Sequence, residues 1–220
     1  MDEDIVIVPA RKGSKGLPNK HHKLVGSKSL IQHTFDTCSD LALETCILTD
    51  DDEIKALAVN YDNFDASYSR PPRLSDDGSS VVDLIADYLA LKGITRPVNI
   101  ILLQPTNPFR DANEILSALR WFKSNELKSL AFYGEPLSEP NDCFAIDNDR
   151  FVLDKYQEGR QKKVVKKFLS GECYISNSKH LLKTGSFVDR DTFAWQSKNW
   201  KGGVDIDYLF QLELANMMTV

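Results

Sequence analysis

Two short stretches near opposite ends of the chain carry residues whose types and spacing could do chemistry. Residues 8–20, VPARKGSKGLPNK, hold one arginine and three lysines around two glycines. A glycine-bearing loop that leaves a strand can turn backbone N–H groups toward an anion, and Lys and Arg supply compensating charge. The spacing is neither that of a Walker A loop nor that of a dinucleotide fingerprint. The loop therefore predicts a polyphosphate site, and a solvated basic surface loop is the alternative.

The second stretch contains an acidic pair, Asp205 and Asp207. Two carboxylates one residue apart on a strand point to the same side, where they can share a hard divalent cation. Nucleotide phosphates usually need such a cation. Because D-x-D is short and common, a solvated strand end or a helix cap is the other interpretation.

These stretches need a scaffold that brings them together, and the hydrophobic pattern predicts one. Apolar β-branched runs alternate with amphipathic segments of helical period, which indicates a mostly parallel sheet wrapped by helices on both faces. Ligands of such sheets bind beyond the carboxyl ends of the strands. We therefore expect residues 9–20, 104–110 and 203–207 to converge. The predicted strands are 5–8, 46–48, 98–103, 130–133, 173–176 and a short one ending at 205–207; the predicted helices include 30–41, 53–61, 112–124 and the C-terminal amphipathic segment.

Composition narrows the class of protein. The chain has 220 residues, 42% hydrophobic and 27% charged, and a net charge of −5, which fits one globular domain over residues 1–220. A basic footprint for nucleic acid is absent, and no apolar stretch reaches the roughly 18 residues of a membrane span. The cysteines lack C-x-x-C spacing and are predicted to be buried thiols in a cytoplasmic protein; they are Cys38, Cys46, Cys143 and Cys173.

Five segments, taken in order, carry a resemblance that covers nearly the whole chain. They are PARKGSKGLPNK, SRPPRLSDDGSS, LLQPTNPFR, CYIS and VDIDYLFQLELA. Together they resemble the acylneuraminate cytidylyltransferases, the CMP–sialic acid synthetase family, which join CTP to nonulosonic acids and release pyrophosphate. The resemblance implies a Rossmann-like sheet of the nucleotide-diphospho-sugar transferase type. It also implies a homodimer in which an insertion at residues 136–170, containing a β-hairpin around Asp147, reaches the neighbour's active site.

The resemblance assigns a role to each matching position. It implies nucleotide contacts for Arg11, Ser14, Lys20, His21, Arg70 and Ser80, sugar contacts for Gln104, Thr106, Arg110, Tyr174 and Phe187, and a Mg²⁺ site at Asp205 and Asp207. Arg11, Lys20 and Asp207 are the expected catalytic residues, with Asp207 helping to remove a proton. Attack of the anomeric hydroxyl on the α-phosphorus must come opposite the leaving pyrophosphate, so catalysis is positioning plus stabilisation of negative charge.

Some positions depart from the family pattern. His21 stands where the family usually has Asn; it can still donate one hydrogen bond, or it is a plain surface histidine. In LSGECYIS, Leu169 and Glu172 replace residues that include an arginine, and neither can grip a carboxylate as a guanidinium does. Other cations could take that role, or they are simply solvated; they are Arg160, Lys166 and Lys167.

Several aromatic side chains before the acidic pair form either a lid over the sugar or ordinary packing; they are Phe187, Phe193, Trp195 and Trp200. Three other functions stay open. They are a synthetase of the CMP-activated eight-carbon Kdo sugar, another sugar or molybdenum-cofactor nucleotidyltransferase of the same fold, and a nucleotide-binding regulatory subunit without catalysis. The sequence does not choose among the nonulosonic acids.

Overall fold

The computed structural model describes residues 3–13, 16–76, 78–135, 145–147, 150–152 and 166–219, with the backbone alone at 145–147 and 150–152. The strands are β1 (Glu3–Ala10), β2 (Leu24–Val25), β3 (Lys28–Ser29), β4 (Glu44–Thr49), β5 (Phe64–Asp65), β6 (Val98–Leu102), β7 (Ser129–Gly134), β8 (Ala145–Asp147), β9 (Arg150–Val152), β10 (Phe168–Asn177) and β11 (Phe193–Gln196). The helices are α1 (Leu30–Leu41), α2 (Asp52–Ala58), α3 (Val81–Leu91), α4 (Ala112–Ser124), α5 (Ser178–Thr184) and α6 (Leu209–Met217).

The main sheet has the order β11-β7-β10-β6-β1-β4-β5. Its pairs are parallel except around β10, which runs antiparallel to both β6 and β7. The predicted doubly wound, mostly parallel α/β fold is therefore confirmed. Because β10 is reversed, its first residues lie at the same edge of the sheet as the carboxyl ends of β1 and β6.

Both faces of the sheet are covered, which explains why the central strands are continuously apolar. In β1, Val6 and Val8 pack on one face with α1, α2 and α4, where Phe35 and Phe122 are buried. The alternate residues of the same strand, such as Ile7, point to the other face of the sheet and pack with α3 and α5. Alternation along a strand thus builds two cores at once.

Short polar side chains begin several helices. Ser29 and Gln32 form a capping box at α1, in which the Ser29 N–H donates to Gln32 Oε1 over 2.8 Å. Asp111 caps α4 by accepting from the backbone N–H of Asn113 at 2.8 Å. The predicted span of α1 is reproduced at both ends.

The predicted β-hairpin within residues 136–170 and the predicted strand ending at 205–207 have different outcomes. β8 and β9 pair antiparallel with Ile146 opposite Phe151, while the turn residues 148 and 149 lie outside the described residues. The dimerisation role of 136–170 stays a prediction, as does the single-domain assignment. The strand expected to end at 205–207 is not formed: a 3₁₀ turn spans Trp200–Gly203, and beyond it Ile206 donates one ladder-like bond, to Thr106 O at 2.9 Å.

The helices and the cysteines test two further predictions made from the composition of the chain. Among the described helices, none is long and apolar enough to cross a membrane. Cys38, Cys46 and Cys173 are buried free thiols, as predicted, and Cys143 lies outside the described residues.

Candidate nucleotide site

The loops that follow β1 and β6 and the first residues of β10 share one edge of the sheet. β1 ends at Ala10, and Tyr174 of β10 lies opposite Leu102, the last residue of β6. Residues 168–173 therefore extend beyond the end of β6, toward the loop at 104–110. This edge is where an open α/β sheet binds its ligands.

The basic loop and the acidic pair meet at this edge. Lys20 Nζ lies 2.7 Å from Asp207 Oδ1, with the lysine side chain 12% exposed and the aspartate 53% exposed. Gly16 fits here because it has no side chain: a Cβ built on it would lie 2.7 Å from the backbone oxygen of Asp207. The absence of a side chain at Gly16 thus allows the backbone of the basic loop to lie against the backbone of Asp207.

Two cationic side chains, Arg11 and Arg70, lie around the start of the basic loop. Arg11 Nη1 contacts Ser75 O at 3.5 Å, and Arg70 Nε donates to Leu74 O at 2.7 Å. Burial lowers the pKa of Arg70 below its ordinary value, Asp50 opposes that change, and the charge of Arg11 adds to it. Like charges held this close favour binding of an anion between them.

His21 follows Lys20 and is 9% exposed, so the alternative of a plain surface histidine is wrong. Burial lowers its pKa from 6.5 to about 4, and the charges of Lys20, His22 and Arg11 act in the same direction, against Asp51. The ring is therefore neutral at pH 7. It offers one donor and one acceptor at the site, without adding positive charge.

Two other predicted nucleotide contacts are placed differently. Ser14 lies outside the described residues. Ser80 is exposed and caps α3, where its Oγ accepts from the Asp83 N–H at 3.0 Å and donates to Asp83 Oδ2 at 2.8 Å. Its hydroxyl is thus engaged with the first turn of the helix, and its contact with a nucleotide stays a prediction.

Arg110, predicted to contact the sugar, instead has every N–H of its guanidinium directed at an acceptor inside the protein. Nε donates to Glu172 O at 2.6 Å, and Nη1 donates to Thr34 Oγ1 at 3.2 Å. The remaining acceptors are the backbone oxygens of Asn107, Gln104 and Gly171, the last at 3.5 Å. Because five donors are in use, this geometry makes Arg110 a brace between the loop at 104–110 and β10, and Gln104 takes part through its carbonyl.

Asn107 is a residue that sequence reasoning missed. It is fully buried, its Nδ2 donates to the backbone oxygens of Ser170 (3.3 Å) and Gly202, and its Oδ1 accepts from the Phe109 N–H at 3.2 Å. It therefore joins three segments just before the acidic pair. The sequence shows that Asn107 lies in QPTNPFR, but it does not show that its hydrogen-bond partners lie 63 and 95 positions away.

The aromatic side chains divide between the site and the core. Tyr174 is half-buried, and burial raises the pKa of its hydroxyl, with the Asp205 carboxylate adding to that effect. Phe187 is buried in the core cluster on the α3 face, with its ring centroid 6.0 Å from that of Tyr174. Packing is thus what the structure shows for Phe187. Trp195 lies against Phe132, and Trp200 is largely exposed.

The acidic pair fits a divalent cation. Asp205 Oδ1 is buried and has no hydrogen-bond partner among the described residues. Burial raises the pKa of Asp205, Asp207 and Lys20 act on it with opposite signs, and the Thr106 hydroxyl lowers it. Gly171, at φ +74°, leaves space beside this carboxyl group, since a Cβ there would contact it at 3.6 Å. A buried carboxylate oxygen without a donor is what a hard cation satisfies.

No cluster of three or more His, Cys, Asp or Glu side chains suited to a metal occurs within the described ranges. Asp205 and Asp207 would therefore supply two ligands, with the others coming from phosphate oxygens and water, as is usual for Mg²⁺ at nucleotides.

The family to which the chain belongs is shown by comparison with known protein families. A family model described as cytidylyltransferase matches residues 5–183. The chain belongs to the cytidylyltransferase family. The resemblance drawn from the five sequence segments is thereby confirmed.

Curated relatives of this cytidylyltransferase family member include an N-acylneuraminate cytidylyltransferase and a CMP-N,N'-diacetyllegionaminic acid synthase. An N-acylneuraminate cytidylyltransferase of Escherichia coli is 28% identical over 218 residues, which cover 96% of this chain and 51% of that protein. A CMP-N,N'-diacetyllegionaminic acid synthase of Legionella pneumophila is 29% identical over 92% of this chain and 90% of its own length. The chain spans about half the length of the first curated relatives it matches.

A solved structure supports the fold. The structure of CMP:2-keto-3-deoxy-manno-octonic acid synthetase complexed with CTP superposes with a TM-score of 0.70 at 15% identity, covering 99% of this chain and 98% of that one. At this identity the likeness establishes the nucleotidyltransferase-type sheet alone.

The departures in LSGECYIS can now be located. Glu172 is 2% exposed, its carboxylate lies where a side chain on Gly202 would be, and its Oε2 has no partner among the described residues. Burial raises the pKa of Glu172. Lys167 pairs with Glu135, Lys166 is exposed, and Arg160 lies outside the described residues. Glu172 therefore fills space beneath the 3₁₀ turn, and the guanidinium that reaches this segment is that of Arg110, which donates to the backbone oxygens of Gly171 and Glu172.

Proposed function

We propose that this chain is a Mg²⁺-dependent cytidylyltransferase that joins CTP to a nonulosonic acid and releases pyrophosphate. One observation carries the proposal: Lys20 of the basic loop contacts Asp207 of the acidic pair at the ligand-binding edge of the sheet. In a member of the cytidylyltransferase family, that contact supports a cleft in which the cations would bind phosphate and the carboxylates would hold a metal.

The cations have a defined task in this reaction. Transfer of the cytidylyl group leaves negative charge on the departing pyrophosphate, so fixed positive charges lower the barrier. Arg11 and Lys20 occupy the loop that would face the phosphates. Arg70 and the neutral ring of His21 lie beside them and offer hydrogen bonds to the nucleotide.

The acidic pair has the complementary task. Asp205 and Asp207 would hold Mg²⁺, which would supply positive charge near the phosphates and favour deprotonation of a hydroxyl group. Because Asp207 is more exposed than Asp205, we expect Asp207 to accept the proton of the attacking anomeric hydroxyl.

The sugar would lie next to Tyr174, between the loop at 104–110 and the acidic pair. Burial raises the pKa of the Tyr174 hydroxyl and the charge of Asp205 adds to that effect, so the phenol lies within electrostatic reach of that carboxylate. The brace formed by Arg110 and Asn107 holds the walls of this pocket rather than contacting the sugar. The names of the relatives favour nine-carbon acids as substrates.

The experiment is a substrate panel. Purified protein is incubated with CTP, Mg²⁺ and either N-acetylneuraminic, legionaminic, pseudaminic or Kdo acid, and pyrophosphate release and product mass are measured. We expect a CMP-sugar with one nine-carbon acid. Product with Kdo alone would favour the eight-carbon alternative, and tight CTP binding without turnover of any acid would favour the regulatory-subunit alternative.

Dimerisation is part of the same proposal. We propose a homodimer formed through residues 136–170. Size-exclusion chromatography with light scattering tests it, because a monomer mass at assay concentration would contradict it.

A further inference from the structure

A second cavity lies at the opposite edge of the sheet from the nucleotide site. Its volume is about 640 Å³, within the range of small-molecule pockets. It is lined by the start of β6, the end of β10, the carboxyl-terminal end of α4, the segment before β7, and α5. The side chains at the centre of the argument are Lys179 and Lys183 of α5, Glu126, and the apolar Phe122 and Leu127.

The lining of this cavity has more cationic than anionic side chains, although the chain has a net charge of −5. Four lysines and one glutamate line it. Two of the lysines are already paired, since Lys123 Nζ lies 2.7 Å from Asp4 Oδ2 and Lys128 Nζ lies 3.2 Å from Asp191 Oδ2. His180 is likewise paired with Asp189, at 2.8 Å.

The other two lysines, Lys179 and Lys183, are exposed, and neither has an ion-pair or side-chain hydrogen-bond partner in the part of the chain that the structure describes. They are four positions apart on α5, so their side chains are neighbours on one face of the helix. Two like charges at this spacing repel each other, and an anion bound between them would relieve the repulsion.

The rest of the lining is less polar. Phe122 is buried and Leu127 half-buried at the cavity wall, and the amide group of Asn99 is fixed by donating to Asp4 Oδ1 at 2.8 Å. The cavity thus combines two ammonium groups without ion-pair partners among the described residues, set against the single carboxylate of Glu126, with an apolar wall. An inorganic anion would contact the ammonium groups but would make no use of the apolar wall.

We propose that this cavity binds a small organic phosphate monoester, with the phosphate between Lys179 and Lys183 and an apolar body against Phe122 and Leu127. A dianionic head matches two unpaired ammonium groups. The site is separate from the nucleotide site, because β6 begins at the cavity with Val98 and Asn99 and ends at Leu102, from which the loop at 104–110 continues to the opposite edge.

Phenyl phosphate and inorganic phosphate are the probes that test the proposal. Each is titrated calorimetrically into the full chain with the nucleotide site filled by saturating CTP. We expect phenyl phosphate to bind and inorganic phosphate to bind more weakly, since only the former reaches the apolar wall. Equal affinity for the two, or no binding of phenyl phosphate at millimolar concentration, would overturn the proposal.

Three variants locate the binding. Lys179→Gln/Lys183→Gln removes both unpaired charges and should weaken phenyl phosphate by about tenfold or more, since two charge-assisted hydrogen bonds are lost. Lys28→Gln/Lys198→Gln changes the net charge equally at exposed positions outside the cavity and should leave the affinity unchanged. Lys20→Gln should also leave it unchanged. Loss of binding in the Lys20 variant alone would place the ligand at the nucleotide site and refute the second site.

Discussion

Lys20 Nζ and Asp207 Oδ1, 187 positions apart in the chain, lie 2.7 Å from each other. Each also has a second purpose in the proposed reaction, in which the ammonium group would bind phosphate and the carboxylate would hold a metal. The ion pair therefore joins the basic loop to the acidic pair and balances their charges. Its consequences can be separated experimentally.

The first prediction distinguishes stability from catalysis at Lys20. Because Asp207 is 53% exposed, solvent screens the pair, and Lys20→Gln should lower the free energy of unfolding by less than about 1 kcal/mol. Loss of a fixed charge facing the phosphates should lower kcat/KM for CTP by about 10²-fold or more. Urea denaturation and steady-state kinetics measure the two effects. Lys28→Gln, which breaks the exposed pair with Asp36, is the control and should leave turnover intact.

The second prediction concerns the metal without nucleotide. Lys20 competes with a cation for Asp207, so Lys20→Gln should bind Mn²⁺ more tightly than the unaltered chain in the absence of CTP. Asp207→Asn should bind Mn²⁺ more weakly. Calorimetric titration with Mn²⁺ measures both. Identical Mn²⁺ affinity in all three proteins would show that Asp207 is not a ligand.

The elements were predictable from sequence where burial imposes a period. The run LIQHTFDTCSDL gave α1 at its observed bounds because its apolar residues face one core, and VNIILL gave β6 because both of its faces are covered. The meeting of residues 9–20 with the acidic pair was likewise predictable, since parallel strands end at a common edge.

Individual roles at the site were less predictable, because they depend on partners far away in sequence. Arg110 was expected to face the sugar, but its acceptors come from α1, β10 and its own loop. The burial of His21 and Glu172 depends in the same way on segments that only the fold brings together. Asp205 and Asp207 lie on irregular backbone because the glycines at 202 and 203 belong to a 3₁₀ turn, not a strand.

The third prediction tests Arg110 as a brace. Arg110→Lys keeps the charge but has three donors in place of five, so carbonyl groups inside the protein lose their partners. The free energy of unfolding should fall by about 2–4 kcal/mol. Arg96→Lys, at an exposed pair with Glu3, should change it by less than about 0.5 kcal/mol. Equal effects in chemical denaturation would contradict the structural role.

The fourth prediction concerns the close approach of Gly16 to the tail. In Gly16→Ala the new methyl group would lie 2.7 Å from Asp207 O, so the basic loop must move away from the acidic pair. We expect kcat/KM for CTP to fall by about tenfold or more, because small displacements of positioning groups are costly in catalysis. Gly203→Ala, where a Cβ meets nothing within 4 Å, is the matched control. Comparable losses in both variants would remove the steric explanation.

The fifth prediction is a pH dependence of stability at His21. Its pKa is about 4 in the folded chain and about 6.5 when exposed, so the unfolded state binds more protons between those values. Stability from this residue is therefore fully present above about pH 7 and is lost as the pH falls toward 4. Between pH 7 and pH 5 the loss is about 2 kcal/mol. His21→Asn cannot take up that proton, while every other titrating group is retained. Urea denaturation at both pH values should thus show a smaller decline in the variant by about 2 kcal/mol, and parallel declines would show that His21 is protonated equally in the folded and unfolded chain.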